Sequence, residues 1–238
     1  MTSARLGYAP SSPISRRSRC WAAGKFSALP MKTARFSAQL LFMLAIAFAA
    51  RAAEPASEPD RRSVALFNGK DLANWKTEGN AVWEVKDGMI VGRQGPQGAS
   101  GDLLSEATFE NFELSVTFKV QWPANTGVWY RYQTAAKAFQ ADILEYKDPL
   151  ALTGSLYCAG KMFLATNRDA KLVRRDDWNT FTVRAVDDHH VIHLNGVKVA
   201  DVRDDSSAIG RIGFQVHAGS EFADMQVAIK EVTIRTLD

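Results

Sequence analysis

Four side chains in the second half of the chain have the chemistry to move protons or to hold developing negative charge: Arg131, Asp142, Glu145 and His217. A carboxylate or imidazole near its working pH takes a proton from carbon or returns one to a leaving oxygen. A guanidinium beside them supplies fixed positive charge for an anionic transition state. Around these stand residues suited to a hydroxylated ring: Trp129, Gln140, Tyr157, Lys161, His193 and Gln215. Aromatic rings cover the apolar faces of a pyranose, while planar amides and charged tips match its hydroxyls. Each also has a plainer role. Arg131 can pair with a surface carboxylate, Asp142 can be a solvated strand residue, Trp129 can be core, and His193 beside Lys198 can be the exposed face of a hairpin.

The elements that must position them are strands. Phe112, Leu114, Val116, Phe118 and Val120 alternate with Glu113, Ser115, Thr117 and Lys119, the period-two pattern of a half-buried strand. Trp83–Val91 reads as a hairpin around Asp87-Gly88, and His190–Ala200 as another around Asn195-Gly196. Further strands are expected at 127–132, 139–146, 154–158, 180–186, 211–217 and 225–236, with no long amphipathic helix, while Gly92, Gly95, Gly98 and Gly101 read as a flexible loop without a P-loop Lys. That pattern predicts an all-β, two-sheet antiparallel sandwich. Parity then assigns faces. Ile192, Leu194, Val197 and Val199 should face the core, as should Ile212, Phe214 and Val216. Arg211, Gln215 and His217 should share the other face; Arg131 should lie with Trp129, and Asp142 with Gln140.

Of the 238 residues, the first 52 carry eight basic residues and no acid. The formal balance of +3 therefore hides a remainder with 21 of the 29 basic residues against all 26 acidic ones, a net of −5. An acidic body excludes non-specific nucleic-acid binding as a leading reading. From Met31, a short basic region, an apolar run over 40–50 and small residues at Ala50 and Ala52 have the layout of a secretory signal, with Met31 as the expected start. The run is too short to span a membrane, so no span is expected after cleavage. The expected division is a leader over 1–52, a linker over 53–62 and a β-sandwich domain over 63–238, exported to the periplasm or beyond. Cys158 is expected to be buried and inert.

The chain also carries an ordered set of short segments. They are Leu66-Phe67-Asn68-Gly69-Lys70-Asp71-Leu72 with Trp75, then Trp83 with Asp87-Gly88, Asn111-Phe112-Glu113-Leu114, and Asn125-Thr126-Gly127-Val128 leading to Arg131. Thr153-Gly154-Ser155-Leu156-Tyr157, Trp178-Asn179, Leu194-Asn195-Gly196 and Gly210-Arg211-Ile212-Gly213-Phe214-Gln215-Val216-His217 complete it. In this order they resemble the 3-keto-disaccharide hydrolase domain family across residues 63–237. The resemblance implies a concanavalin A-like (LamG-like) jelly roll with a concave sugar-binding face. The family's strand after the Arg usually shows an acid, a Gln and a further acid, where this chain has Gln140, Asp142 and Glu145.

The resemblance further implies an oligosaccharide or glycoside ligand whose sugar carries a ketone at C3. Such a ketone acidifies the C2 proton, so a base can start an elimination that expels the C1 substituent, and water then completes a net hydrolysis. On that reading Asp142 is the base, Arg131 the enolate stabiliser and His217 the proton donor or hydrogen-bonding partner. Glu145 is a reserve acid or metal ligand. Trp129, Gln140, Tyr157, Lys161, His193 and Gln215 bind substrate. No metal site and no cofactor are expected. His190 and His193 point to opposite strand faces, and no loop has regular oxygen-ligand spacing, although a divalent cation such as calcium is left open. The competing reading is a non-catalytic carbohydrate-binding module of the same fold.

Overall fold

Short apolar–polar alternations bounded by Gly, Asn and Asp turns leave a chain one economical way to bury its apolar set, two pleated sheets stacked face to face. The computed structural model describes residues 63–238. The export signal and the linker expected before them lie outside the described residues. The strands are β1 Val64–Ala65, β2 Trp75–Gly79, β3 Val82–Lys86, β4 Met89–Arg93, β5 Gly101–Phe109, β6 Phe112–Val120, β7 Asn125–Thr134 and β8 Lys137–Lys147. They continue as β9 Leu150–Cys158, β10 Met162–Asn167, β11 Asn179–Val186, β12 His189–Leu194, β13 Val197–Arg203, β14 Gly210–Val216 and β15 Gln226–Thr236. One sheet runs β13-β12-β11-β6-β15-β4-β3, with β1 on β15; the other runs β10-β9-β8-β7-β14-β5-β2. Every pairing is antiparallel, as the all-β sandwich expected from the sequence requires. No helix among the described residues is long and apolar enough to cross a membrane.

The core lies between the sheets. Phe112, Leu114, Val116, Phe118, Phe181, Val183 and Ile192 meet Val128, Tyr130, Phe139, Ile143, Ile212, Phe214 and Val216 there, and Cys158 is buried among them. Both expected hairpins form. Asp87-Gly88 joins β3 to β4 and Asn195-Gly196 joins β12 to β13, each with positive φ at both turn positions, the type I′ requirement. The opening Asn68-Gly69-Lys70-Asp71 is a turn locked by its own side chains. Asn68 Oδ1 accepts from the Lys70 and Asp71 amides at 2.8 and 3.0 Å, and Asp71 Oδ1 accepts from Asn68 Nδ2 at 2.8 Å.

Three expectations need correction. Val197 is 47% exposed rather than core, because the β12–β13 register shifts after Ile192 and gives the buried place to Ala200. Gly92 and Gly101 belong to strands, not to one flexible loop: a side chain on Gly92 would strike the Trp83 ring, 2.2 Å away. The third is Arg131. The β7–β8 register jumps from Tyr130↔Phe139 to Thr134↔Lys137, and Arg131 sits in this irregularity with φ of 48°. Its side chain therefore leaves the face of Trp129. The guanidinium is wholly buried, where a charge survives only if its donors are used. Nε donates to Glu110 O at 2.9 Å, Nη1 to Asp187 O at 2.6 Å and Ser207 O at 3.3 Å, and Nη2 to Asn111 Oδ1 at 3.3 Å.

Near this end of the core His190 packs against Phe139 and Tyr130, with ring centroids 4.3 and 5.7 Å away. Its Nε2–H donates to Asp204 O at 2.9 Å, and buried Nδ1 has no partner among the described residues. Burial lowers its pKa to about 4. The unfolded chain protonates this residue near pH 6.5 and the folded chain only near 4, so the unfolded state binds more protons in between. Stability is therefore lost as pH falls through that window, by roughly 3 kcal/mol from this group. His190→Gln, which keeps a donor and does not titrate, should flatten that part of the stability–pH curve in denaturant unfolding; an unaltered slope would contradict the assignment.

Candidate functional site

The seven-stranded sheet turns one face to the core, and on its other face the register lines polar side chains into rungs across the strands. One rung runs Glu78 (β2), Asp102 (β5), Gln215 (β14), Gly127 (β7), Asp142 (β8). The next runs Leu104, Gly213, Trp129, Gln140, Tyr157 and Phe163. On the far side His217 N donates to Asn125 O at 3.3 Å, and Asn125 stands opposite Leu144. Gly127 is needed for close approach: an added Cβ would lie 2.6 Å from Gln140 Cδ. Without one, the Gln140 side chain lies over β7 and Nε2 donates to Gln215 Oε1 at 3.3 Å.

These rungs enclose a cavity of about 290 Å³, with Asp142, Gln140, Gln215, His217, Trp129 and Tyr157 on its walls. A small apolar cluster of Leu104, Trp129, Tyr132 and Ala138 underlies it. Trp129 is nearly buried and edge-on to Tyr132 and Tyr157, so it is the floor. The aromatic wall that reaches solvent is Tyr146, 43% exposed, which packs on Phe163. A larger cleft of about 570 Å³ lies on the other sheet around Lys119, Trp122, Arg175 and Gln226. Its charged residues, Lys119, Arg175 and Asp176, are all exposed to solvent.

Asp142 is different. It is 2% exposed, and its carboxylate makes no hydrogen bond or ion pair among the described residues. Burial alone pushes its pKa well above the usual carboxylate range. Asp102, half-buried across the cavity, accepts Trp129 Nε1–H at 2.8 Å; burial raises its pKa and that hydrogen bond offsets part of the rise. Burial first, and the neighbouring Asp142 second, raise the Tyr157 phenol, which stays a donor. His217 is exposed, with Nδ1–H donating to Ala218 O at 2.5 Å, which leaves Nε2 for a ligand.

Of the residues expected from sequence, Trp129, Gln140, Asp142, Tyr157, Gln215 and His217 meet in this cavity. Four do not. Arg131 is buried among the loops described above. Glu145 has the opposite parity on β8 and pairs with Arg175. Lys161 forms an exposed ion pair with Asp204 at 2.7 Å. His193 stands in the other sheet, between Thr182 and Lys198.

The family pattern described as the 3-keto-alpha-glucoside-1,2-lyase-like domain matches residues 62–235. The chain belongs to this family. A 3-keto-disaccharide hydrolase of Bacteroides thetaiotaomicron is 31% identical over 93 residues, a match spanning 34% of this chain and 32% of that relative. Among solved structures, a provisional glycosyl hydrolase of Parabacteroides distasonis is 22% identical with a TM-score of 0.55, over 74% of this chain and 94% of that one. The carbohydrate-binding module CBM66 of Bacillus subtilis is 17% identical with a TM-score of 0.51, over 68% and 96%. At these identities the structures establish the shared sandwich, the concanavalin A-like jelly roll expected from sequence.

For this member of the lyase-like family, sequence reading missed Asp102, Asn125, Tyr146 and Phe163 as lining residues. Asp102 had a local signal, since Leu103 after it is core and alternation puts Asp102 on the other face. The unpartnered burial of Asp142 gives a direct prediction. Below the ordinary carboxylate pKa both folded and unfolded chains hold the proton; above it the folded state must ionise a buried group or keep it protonated, so stability is lost as pH rises. Asp142→Asn should therefore raise the thermal midpoint by several degrees at neutral pH, with the gain shrinking towards pH 4. A lower midpoint at neutral pH would show that the carboxylate has a stabilising partner.

Proposed function

We propose that the outer-face cavity cleaves glycosides whose sugar carries a ketone at C3, by elimination followed by hydration. The observation that carries this reading is the buried, unpartnered carboxylate of Asp142 in a polar and aromatic cavity. A binding site gains nothing from burying an anion without a cation, whereas a general base gains a pKa raised towards its working pH.

Asp142 takes the C2 proton, and the electrons of that C–H bond form the C2=C3 enolate. The enolate collapses, C1=C2 forms, and the C1–O bond breaks with its electrons on the leaving oxygen, which takes a proton. Water then adds across C1=C2, its hydroxyl to C1 and a proton to C2. Neutral donors serve the developing enolate: the free amide protons of Gln140 and Gln215 and the Tyr157 hydroxyl. These replace Arg131, whose donors are spent elsewhere. His217 Nε2 faces the ligand as hydrogen-bonding partner or, when protonated, as donor to the leaving oxygen.

Direct hydrolysis by two carboxylates fits less well. It needs carboxyl groups about 5–9.5 Å apart. Asp102 lies three strands from Asp142, about 14 Å along the sheet, with the Gln140–Gln215 amide pair between them. Glu145 is turned to the opposite side of its strand. A non-catalytic binding module is the second reading, favoured by the exposed aromatic wall at Tyr146. On the first reading residues 31–52 direct export, and the substrate is met outside the cytoplasm.

Purified protein incubated with a 3-keto-disaccharide and with its unoxidised parent should release free sugar from the keto form alone. Binding without turnover would favour the module instead. Asp142→Asn should lose on the order of 100-fold or more in kcat while still binding. For the active protein, kcat/KM should climb with pH along a limb displaced above the usual carboxylate range, because only ionised Asp142 accepts the proton. A limb at the ordinary carboxylate pKa would contradict the base assignment.

A further inference from the structure

Among the polar residues that line the cavity, His217 alone lies outside a strand. β14 ends at Val216, and His217 opens the connection over 217–225 that crosses from the seven-stranded sheet to β15 in the other. A side chain on such a connection is ordinarily free to swing. This one is held. His217 N donates to Asn125 O at 3.3 Å, Nδ1–H donates to Ala218 O at 2.5 Å, and the ring stands edge-on to Phe222 with centroids 6.1 Å apart. Phe222 is itself packed against the main core.

The connection is fixed by a side chain from the opposite sheet. Gln94 follows β4, and its side chain is buried. The two hydrogens of its amide go to two carbonyls of the connection: Nε2 donates to His217 O and to Gly219 O, each at 2.9 Å. Gly219 O also accepts from Phe222 N at 3.0 Å, so one carbonyl joins the Gln94 amide to the residue that the imidazole leans on. The chain that carries Gln94 is braced in turn. Gly95 N donates to Ala99 O at 2.9 Å, and the Asn80 and Ala81 amides both donate to Ser100 O, at 2.9 and 3.0 Å.

We infer that Gln94 is a positioning residue for His217. It holds the carbonyls on either side of Ala218, and so keeps Ala218 O in place for Nδ1–H. The hydrogen bond made by one imidazole nitrogen decides which nitrogen carries the proton. Neutral His217 is thereby kept as the Nδ1–H tautomer, with the Nε2 lone pair left for a ligand in the cavity. The consequence for turnover rests on the cleavage reading, whereas the tautomer does not.

The test uses Gln94→Met, which keeps the length of the side chain and removes both donors. With histidine nitrogens isotope-labelled, imidazole NMR above the histidine titration range should show the Nδ1–H tautomer of His217 in wild type, assigned by the signals lost in His217→Gln. Gln94→Met should show the Nε2–H tautomer or a mixture. The same tautomer in both proteins overturns the inference. On a 3-keto-disaccharide, Gln94→Met should lower kcat/KM about ten-fold, the scale of two neutral hydrogen bonds, and should cost nothing further in a His217→Ala background. An unchanged kcat/KM, or an equal loss in that background, shows a general structural role and overturns it too. If Gln94→Met does not fold, Gln94→Asn takes its place with the same expectations, since its amide is one methylene short of both carbonyls. If wild type cleaves no 3-keto substrate, the cleavage reading fails on its own, and the tautomer comparison still decides the role of Gln94.

Discussion

One end of the sandwich is tied by a single buried guanidinium. Arg131 has no solvent exposure, and its donors reach oxygens of Glu110, Asn111, Asp187 and Ser207. Those residues belong to the β5–β6 turn, the β11–β12 turn and the segment before β14. The return bond from Ser207 Oγ to Arg131 O, at 2.8 Å, fixes the backbone that carries it. Removing a buried charged donor of this kind leaves several buried oxygens unpaired at once. The bulge that swings Arg131 out of the sheet face is therefore a structural device, and it has a consequence for the site.

With Arg131 engaged there, Asp142 is left in the sheet face without a cation. Its neighbours across the rungs are Gly127 and, beyond it, the Gln140–Gln215 amide pair. A carboxylate so placed is held towards its neutral form by desolvation, the same physics that costs stability at neutral pH. Asp102 shows the contrasting solution: equally a strand carboxylate on this face, it is more open and has the Trp129 indole as donor. Two acids on one sheet are thus differentiated by partners and burial rather than by sequence context.

Much of this was legible in the sequence, for a physical reason. Strand side chains alternate strictly, so Ile212, Phe214 and Val216 had to face the core and Gln215 and His217 the other way. Alternation likewise placed Asp142 with Gln140. It failed where the strands do. The irregularities after Tyr130 and after Ile192 reset parity, which misplaced Arg131 and Val197. At Asp102 alternation with core Leu103 points to the right face, but Leu104, buried in the small cluster beneath the cavity, breaks the alternation and obscures that signal. His193 lies away from the cavity because parity says which face a residue takes but not which sheet it joins; Lys161, in the turn between β9 and β10, has no parity to read and is taken up by Asp204. Strand order is a non-local property, set by β14 inserting between β5 and β7.

The central claim is that Asp142 removes a proton from carbon. It is tested most directly by cleavage of a 3-keto-disaccharide in deuterium oxide, with the released keto sugar read by NMR and mass spectrometry against a protein-free control. Elimination and re-addition of water predicts deuterium at C2 of that sugar in wild type, with none introduced by Asp142→Asn. Product that keeps its original C2 proton through cleavage would mean direct displacement at C1, and would contradict the account.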